Sequence, residues 1–181
     1  MDALKEWATV VHALEKGEQT VILRKGGILE TDSGFKILSK KFLLFPTFEH
    51  QEEKNLKSQF HNYLDFVKKN LPQNEYNKIT SYAEIIDEID LRSQEKINSL
   101  SQFHIWSESY IKERMNWMPE KPIKAIFLKV YKVPEITIPI KSEYHGCKSW
   151  ININEDIQEG KPVLNDLELN LRLKKFREIV N

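Results

Sequence analysis

Arg24-Lys25-Gly26-Gly27 sets two cations beside two glycines, at the end of the strand-like run Val21-Ile22-Leu23. Consecutive backbone N–H groups in a glycine-rich turn can form an anion-binding nest, and glycine lets a ligand come close to the main chain. Arg24 would add a planar fork suited to phosphate, and Lys25 a point charge. The stretch is not a P-loop, because the Gly-x-x-x-x-Gly-Lys-Ser/Thr spacing is missing. The alternative is a glycine bulge carrying two solvated cations. A second stretch, Phe45-Pro46-Thr47-Phe48-Glu49-His50, sets polar groups just past an apolar run. Thr47 there either caps a helix or joins a phosphate site. His50, with an ordinary pKa of about 6.5, suits a general base or, protonated, a phosphate contact.

A third stretch is Tyr144-His145-Gly146-Cys147-Lys148-Ser149-Trp150. His145 is a second candidate base, and Lys148 a further phosphate contact. Cys147 beside a histidine invites a nucleophile reading, but such pairs normally meet in space from separate segments. Its alternative is a small buried hydrophobe. The fourth feature is Trp106, Tyr110 and Trp117 with Arg114 at the margin. Aromatic and arginine faces stack bases, and the same helical spacing also describes core packing. No Cys-x-x-Cys or equivalent ligand spacing points to a metal, and no cofactor is indicated.

The 181 residues suit one domain with a real core. Twenty-seven basic residues balance twenty-seven acidic ones, so no global field draws in nucleic acid or an acidic membrane, and any anion site must be local. One cysteine excludes an internal disulfide and fits a reducing compartment. No secretory signal or membrane-length apolar run is visible. A cytoplasmic location is expected.

The elements that must position these residues follow from periodicity. Residues 2–16 read as a helix on Ala3, Trp7, Val10, Val11 and Leu14, with Gly17 as its stop. Residues 19–23 read as a strand. A turn at Thr31-Asp32-Ser33-Gly34 leads into a second strand at 35–38. Phe42 to Phe45 read as a buried strand. Residues 48–70 read as a helix that would align His50, Lys54, Lys57 and His61. Residues 79–91 fit a strand or a weak helix. Residues 93–116 read as a second helix, ended by Pro119 and Pro122. Ile123 to Val133 make the strongest strand, prolonged past Pro134 if that residue lies where a ladder bond is dispensable. Lys148 to Ile153 follow as another strand. Leu167, Leu169, Leu171 and Leu173 alternate as in a strand. Even so, Asn165 with Glu168 makes a capping box, and Leu164 with Leu169 a hydrophobic staple, so helix is expected.

The predicted fold class is α+β: a small curved mixed sheet or partial barrel with an inserted helical pair and N- and C-terminal helices. One domain is expected over 1–181, with 48–118 a largely helical insertion and 163–181 the C-terminal helix.

The blocks "ALKEWATVVHALEKGEQTVILRKGGI", "FLLFPTFEHQ", "FHIWSESYIKERMNWMPEKP" and "YHGCKSWINI" together resemble an uncharacterised bacterial and archaeal family, the domain of unknown function 1802. The resemblance runs from Leu4 to about Ile153. It implies a small single-domain protein, with Arg24, Lys25, Gly26, Gly27, Pro46, Thr47, His50, Gly146 and Trp150 as family hallmarks, and it carries no activity. A fainter, fold-level similarity is to PUA-like barrels, a class that binds RNA or modified bases. That similarity implies that the Arg24–Gly27 turn and His50 are neighbours at a barrel mouth.

The leading functional expectation is a protein that binds a nucleotide, RNA or DNA. Its phosphate site would comprise Arg24, Lys25, Gly26, Gly27, Thr47 and Lys148. One rival is a hydrolase or phosphodiesterase with His50 or His145 as base and Arg24 facing developing negative charge. Another is a protein-interaction module docking through the Trp106–Trp117 face.

Overall fold

A computed structural model describes residues 1–26, 34–156 and 158–181. Gly27 and the Thr31-Asp32-Ser33 part of the expected turn lie outside the described residues. The element order is β1 (Asp2–Trp7), α1 (Ala8–Glu15), β2 (Val21–Arg24), β3 (Lys41–Thr47), α2 (His61–Lys69), β4 (Tyr76–Leu91), α3 (Gln94–Ser99), α4 (Glu108–Asn116), β5 (Ile123–Pro139), β6 (Trp150–Asn152), β7 (Lys161–Pro162) and α5 (Asp166–Val180). The strands form one mixed sheet in the order β2-β5-β4-β3-β1-β6, with β7 added to β5. β1 and β3 run parallel, and the other pairs are antiparallel.

The architecture is the expected α+β half-barrel, with helices at both ends of the chain. Its curvature is built into β4 and β5, whose register shifts between Ile79 and Ser81 and again between Ile85 and Asp87. Bulges bend a strand and increase its twist. Pro134 falls in the first irregularity, between Lys132, paired to Ser81, and Ile136, paired to Ile79. Its missing N–H therefore interrupts no regular ladder bond.

Both faces of the sheet are covered. One carries Phe103, Phe127 and Phe176 with α1, α4 and α5, and the other packs Leu43, Phe45, Tyr82 and Tyr144. A strand buried on both faces reads as an unbroken apolar run rather than an alternation. Phe42, Leu43, Leu44 and Phe45 are all buried.

The open edges of the half-barrel, β2 and β6, are bridged by side chains. Arg24 Nη2 donates to Ser149 Oγ at 2.8 Å, just before β6. Trp150 Nε1 donates to the Lys36 carbonyl at 2.9 Å, and the Trp150 ring stacks on Phe35 and meets Phe42 edge-on.

Several expected boundaries move. The helix expected over 2–16 is a strand up to Trp7 and helical only from Ala8. Burial on the central strand outweighs its weak helical spacing. Residues 35–38 form no regular strand. The 48–118 stretch carries α2, α3 and α4 but also β4, at the middle of the sheet. Helix over 48–70 is confined to α2 and two short 3₁₀ turns, Glu53–Asn55 and Ser58–Phe60. His50 and His61 therefore share no helical face. The second expected helix breaks at Leu100–Phe103 and resumes at Glu108. No helix among the described residues is long and apolar enough to cross a membrane.

The C-terminal segment resolves in favour of its cap. Asn165 Oδ1 accepts the Glu168 N–H at 2.9 Å, and Leu169, Leu173, Phe176 and Val180 face the core. Leu167 and Leu171, the residues that suggested a strand, stand exposed. Asn165→Ala is expected to lower stability by about 1 kcal/mol. Urea unfolding of the two proteins measures this; equal midpoints would show that packing alone starts the helix.

Candidate functional site

A cleft of about 620 Å³ opens at the end of the sheet where β1 and β3 finish, beside the loop that leads into β6. β1 delivers Lys5, Glu6 and Trp7 to it, and β3 delivers Phe45, Pro46 and Thr47. The connection after β3 adds Phe48, Glu49 and His50, and the loop before β6 adds Tyr144 to Ser149. Arg24 reaches it from β2, while Tyr110, Arg114 and Trp117 form its α4 side. Arg24 and Gly26 and the Thr47–His50 segment therefore line one cleft.

Arg24, Gly26, Thr47, His50, His145 and Lys148 all line the cleft. Lys25 goes elsewhere: it is buried, and its ammonium donates to the carbonyls of Arg114 at 3.0 Å and Met115 at 2.7 Å. It closes the end of α4, where cations satisfy unpaired carbonyls. Burial, followed by the nearby Arg114 charge, holds its pKa below that of an ordinary lysine. Gly26 has φ +85°, a conformation that favours glycine. His50 and His145 are exposed on the rim, and His50 itself has φ +60°.

Arg24 is held firmly. Its Nη1 donates to Glu6 Oε2 at 3.1 Å and to the Lys5 carbonyl at 3.3 Å, and its guanidinium lies 5.1 Å from the Phe35 ring centre. Glu6 is buried on the floor, where Oε1 accepts the Trp7 N–H at 2.9 Å. Thr47 Oγ1 donates to the Glu6 carbonyl at 3.1 Å. Lys5 pins the opposite wall, donating to the carbonyls of Tyr144 and Gly146, each at 2.9 Å. Burial, then the charge of Lys148, lowers the Lys5 pKa.

The aromatic residues are walls of this cleft rather than an exposed patch. Trp106 is buried and stacks on Tyr110, with ring centres 4.6 Å apart; Trp7 meets Trp106 edge-on at 4.9 Å. Arg114 sits 4.8 Å over Trp117. Phe45 and Tyr144 pack edge-to-face on the other side. Lys5, Glu6, Tyr144 and Ser149 escaped the sequence reading. The first two were hidden in the expected helix, and the other two lie in the third stretch, where neither was given a role.

Cys147 is exposed and lines the cleft, so it is not the buried hydrophobe considered from sequence. Among the described residues, no group of three or more His, Cys, Asp or Glu could hold a metal ion.

The family model of a domain of unknown function, DUF1802, matches residues 3–175. This chain belongs to the DUF1802 family. No curated protein matches it. Its DUF1802 fold is similar to ASCH from Zymomonas mobilis, with a TM-score of 0.40 and 10% identity over 78% of this chain and 88% of that one. Two mutant forms of the same ASCH protein give TM-scores of 0.39 and 0.40 at 10% identity, over 78% of this chain and 90% and 88% of theirs.

Proposed function

We propose that the cleft binds a nucleotide, either free or within a nucleic acid strand. The observation that carries this reading is local charge. The chain as a whole is neutral, yet the cleft gathers Lys5, Arg24, Arg114 and Lys148 against Glu6 and Glu49. A cationic cleft with low-dielectric walls concentrates anions. Its aromatic walls supply the faces on which bases stack, a contact worth about 1–3 kcal/mol per base.

The phosphate contacts divide differently from the sequence expectation. Lys148 and Arg114 stand on the rim, Arg24 and Thr47 lie deeper, and Lys25 is spent on α4. Single-stranded RNA and DNA should bind at low salt and weaken steeply as salt rises. Lys148→Ala and Arg114→Ala should each lower affinity about tenfold or more, the equivalent of one charge-assisted hydrogen bond. Filter binding across a salt series tests this. Affinity that ignores both salt and the two substitutions would overturn it.

The hydrolase reading has one point in its favour: His50 and His145 share the cleft with Arg24. Shortened RNA or DNA in the same assay, abolished by His50→Ala or His145→Ala in a folded protein, would establish it.

A further inference from the structure

We propose that the floor of the cleft reads the edge of an unpaired guanine, with the phosphate directed to the rim. The proposal rests on the nucleotide reading above and goes further by naming the base. Its starting point is the different electrical character of floor and rim. On the floor, the Arg24 guanidinium faces the Glu6 carboxylate at 3.1 Å, so the pair is neutral and its carboxylate would repel a phosphate. Lys148 is exposed and Arg114 is half-buried over Trp117, and among the described residues neither is paired with that carboxylate. A nucleotide that satisfies both regions enters base first.

The floor's hydrogen-bonding capacity selects the base. A carboxylate offers about two acceptor sites on each oxygen. Glu6 Oε1 takes the Trp7 N–H and Oε2 takes Arg24, and with no other donor among the described residues each oxygen can accept once more. Among the described residues, Arg24 spends both Nη1 hydrogens, on Lys5 and Glu6, and one Nη2 hydrogen on Ser149. Nη2 and Nε each keep a donor that no described residue takes. The floor therefore presents two adjacent acceptors beside a cationic donor. The Watson–Crick edge of guanine is the complement: N1–H and the 2-amino group donate side by side, and O6 accepts. Adenine, cytosine and uracil each lack the adjacent pair of donors. A buried polar group left unpaired by the wrong ligand is what makes such a site selective.

Two further observations fit. Trp7, Phe45, Tyr110 and Tyr144 all line the cleft, so an inserted ring has aromatic neighbours. The volume of about 620 Å³ suits a single nucleotide. The reading edge must be free, so a base in a duplex is excluded. The shared ligand chemistry is an unpaired guanine carrying a 5′-phosphate, whether as a free mononucleotide or within a single strand.

Tryptophan fluorescence titration of the whole chain would use GMP, inosine monophosphate, AMP, CMP and UMP. Single-stranded oligonucleotides with one central G or A, and the corresponding duplex, complete the set. GMP is expected to bind most tightly. Inosine monophosphate, which lacks only the 2-amino group, should bind about tenfold more weakly, and the other three more weakly still. Glu6→Gln, if folded, should abolish the difference between GMP and inosine monophosphate; the comparison on the unsubstituted protein needs no variant. Tighter binding of GMP than of the G-containing strand would identify a free nucleotide as ligand, and the reverse a strand; either supports the proposal. Equal affinity for all five mononucleotides would overturn guanine reading and leave nucleotide binding standing. Binding of neither mononucleotides nor strands would overturn both.

Discussion

Phe127→Ala is expected to lower the free energy of unfolding by about 3–5 kcal/mol. Phe127 is fully buried on β5, and its ring centre lies 5.4 Å from that of Phe176 on α5 and 6.4 Å from that of Phe103. The three rings join the sheet to the C-terminal helix and to the segment between α3 and α4. Truncation leaves a void that Phe103 and Phe176 cannot both relax to fill, because each is fixed by its own element. For a chain of this size the midpoint of thermal unfolding should fall by about 6–20 °C. Phe66→Ala is the control, since that ring is half exposed and its loss should matter far less. Equal melting losses in the two variants would show that the aromatic triad is not the centre of stability.

Acid should unfold the protein through His104. This residue is buried, and its pKa is lowered to about 3, first by burial and then by the charge of Lys57. Its Nδ1 accepts the Trp106 N–H at 3.2 Å, so the neutral ring carries its proton on Nε2, which has no partner among the described residues. Lys57 donates to the His104 carbonyl at 2.6 Å and cannot move away cheaply. The folded pKa lies below the ordinary value of 6.5. Between the two, the unfolded chain therefore holds a proton that the folded chain refuses. The contribution to stability is full above about pH 6.5 and falls as the pH drops towards 3, by about 1.4 kcal/mol per pH unit at most. His104→Asn keeps an acceptor for Trp106 without a titrating ring. Urea unfolding at pH 7, 6 and 5 should give a shallower fall for the variant. Parallel profiles would show that His104 accepts its proton in the folded state.

Strong local chemistry was legible in the sequence, and long-range placement was not. The run from Ile123 to Val133 announced β5 because burial on both faces makes a strand apolar throughout. Asn165 with Glu168 announced α5 over a competing alternation because a cap states where a helix begins. Asp2–Trp7 was misread because Ala3 and Trp7 continue the spacing of Val10, Val11 and Leu14, and nothing but the β3 and β6 partners makes those residues a strand. The same error hid Glu6. Conversely, Arg24, Thr47 and His50 were legible as polar residues at or just past the ends of apolar strands, and His145 and Lys148 as part of a polar stretch ahead of one, where loops often carry function. Lys25 looked like a partner of Arg24, but alternation along the chain sent it to the other side, onto the carbonyls at the end of α4.

The bridge across the open seam also has a meaning in time. Arg24 and its acceptor Ser149 are separated by 125 positions, and β6 completes β1 from a similar distance along the chain. At about 5–20 residues per second, a ribosome that has released Arg24 needs roughly 6–25 s more to supply Ser149. Throughout that interval β1 lacks one of its neighbours, and Glu6 and Arg24 have each other but no roof. The cleft is thus a late feature of the nascent chain relative to the sheet residues that begin it, closed only once the residues around Ser149 have emerged.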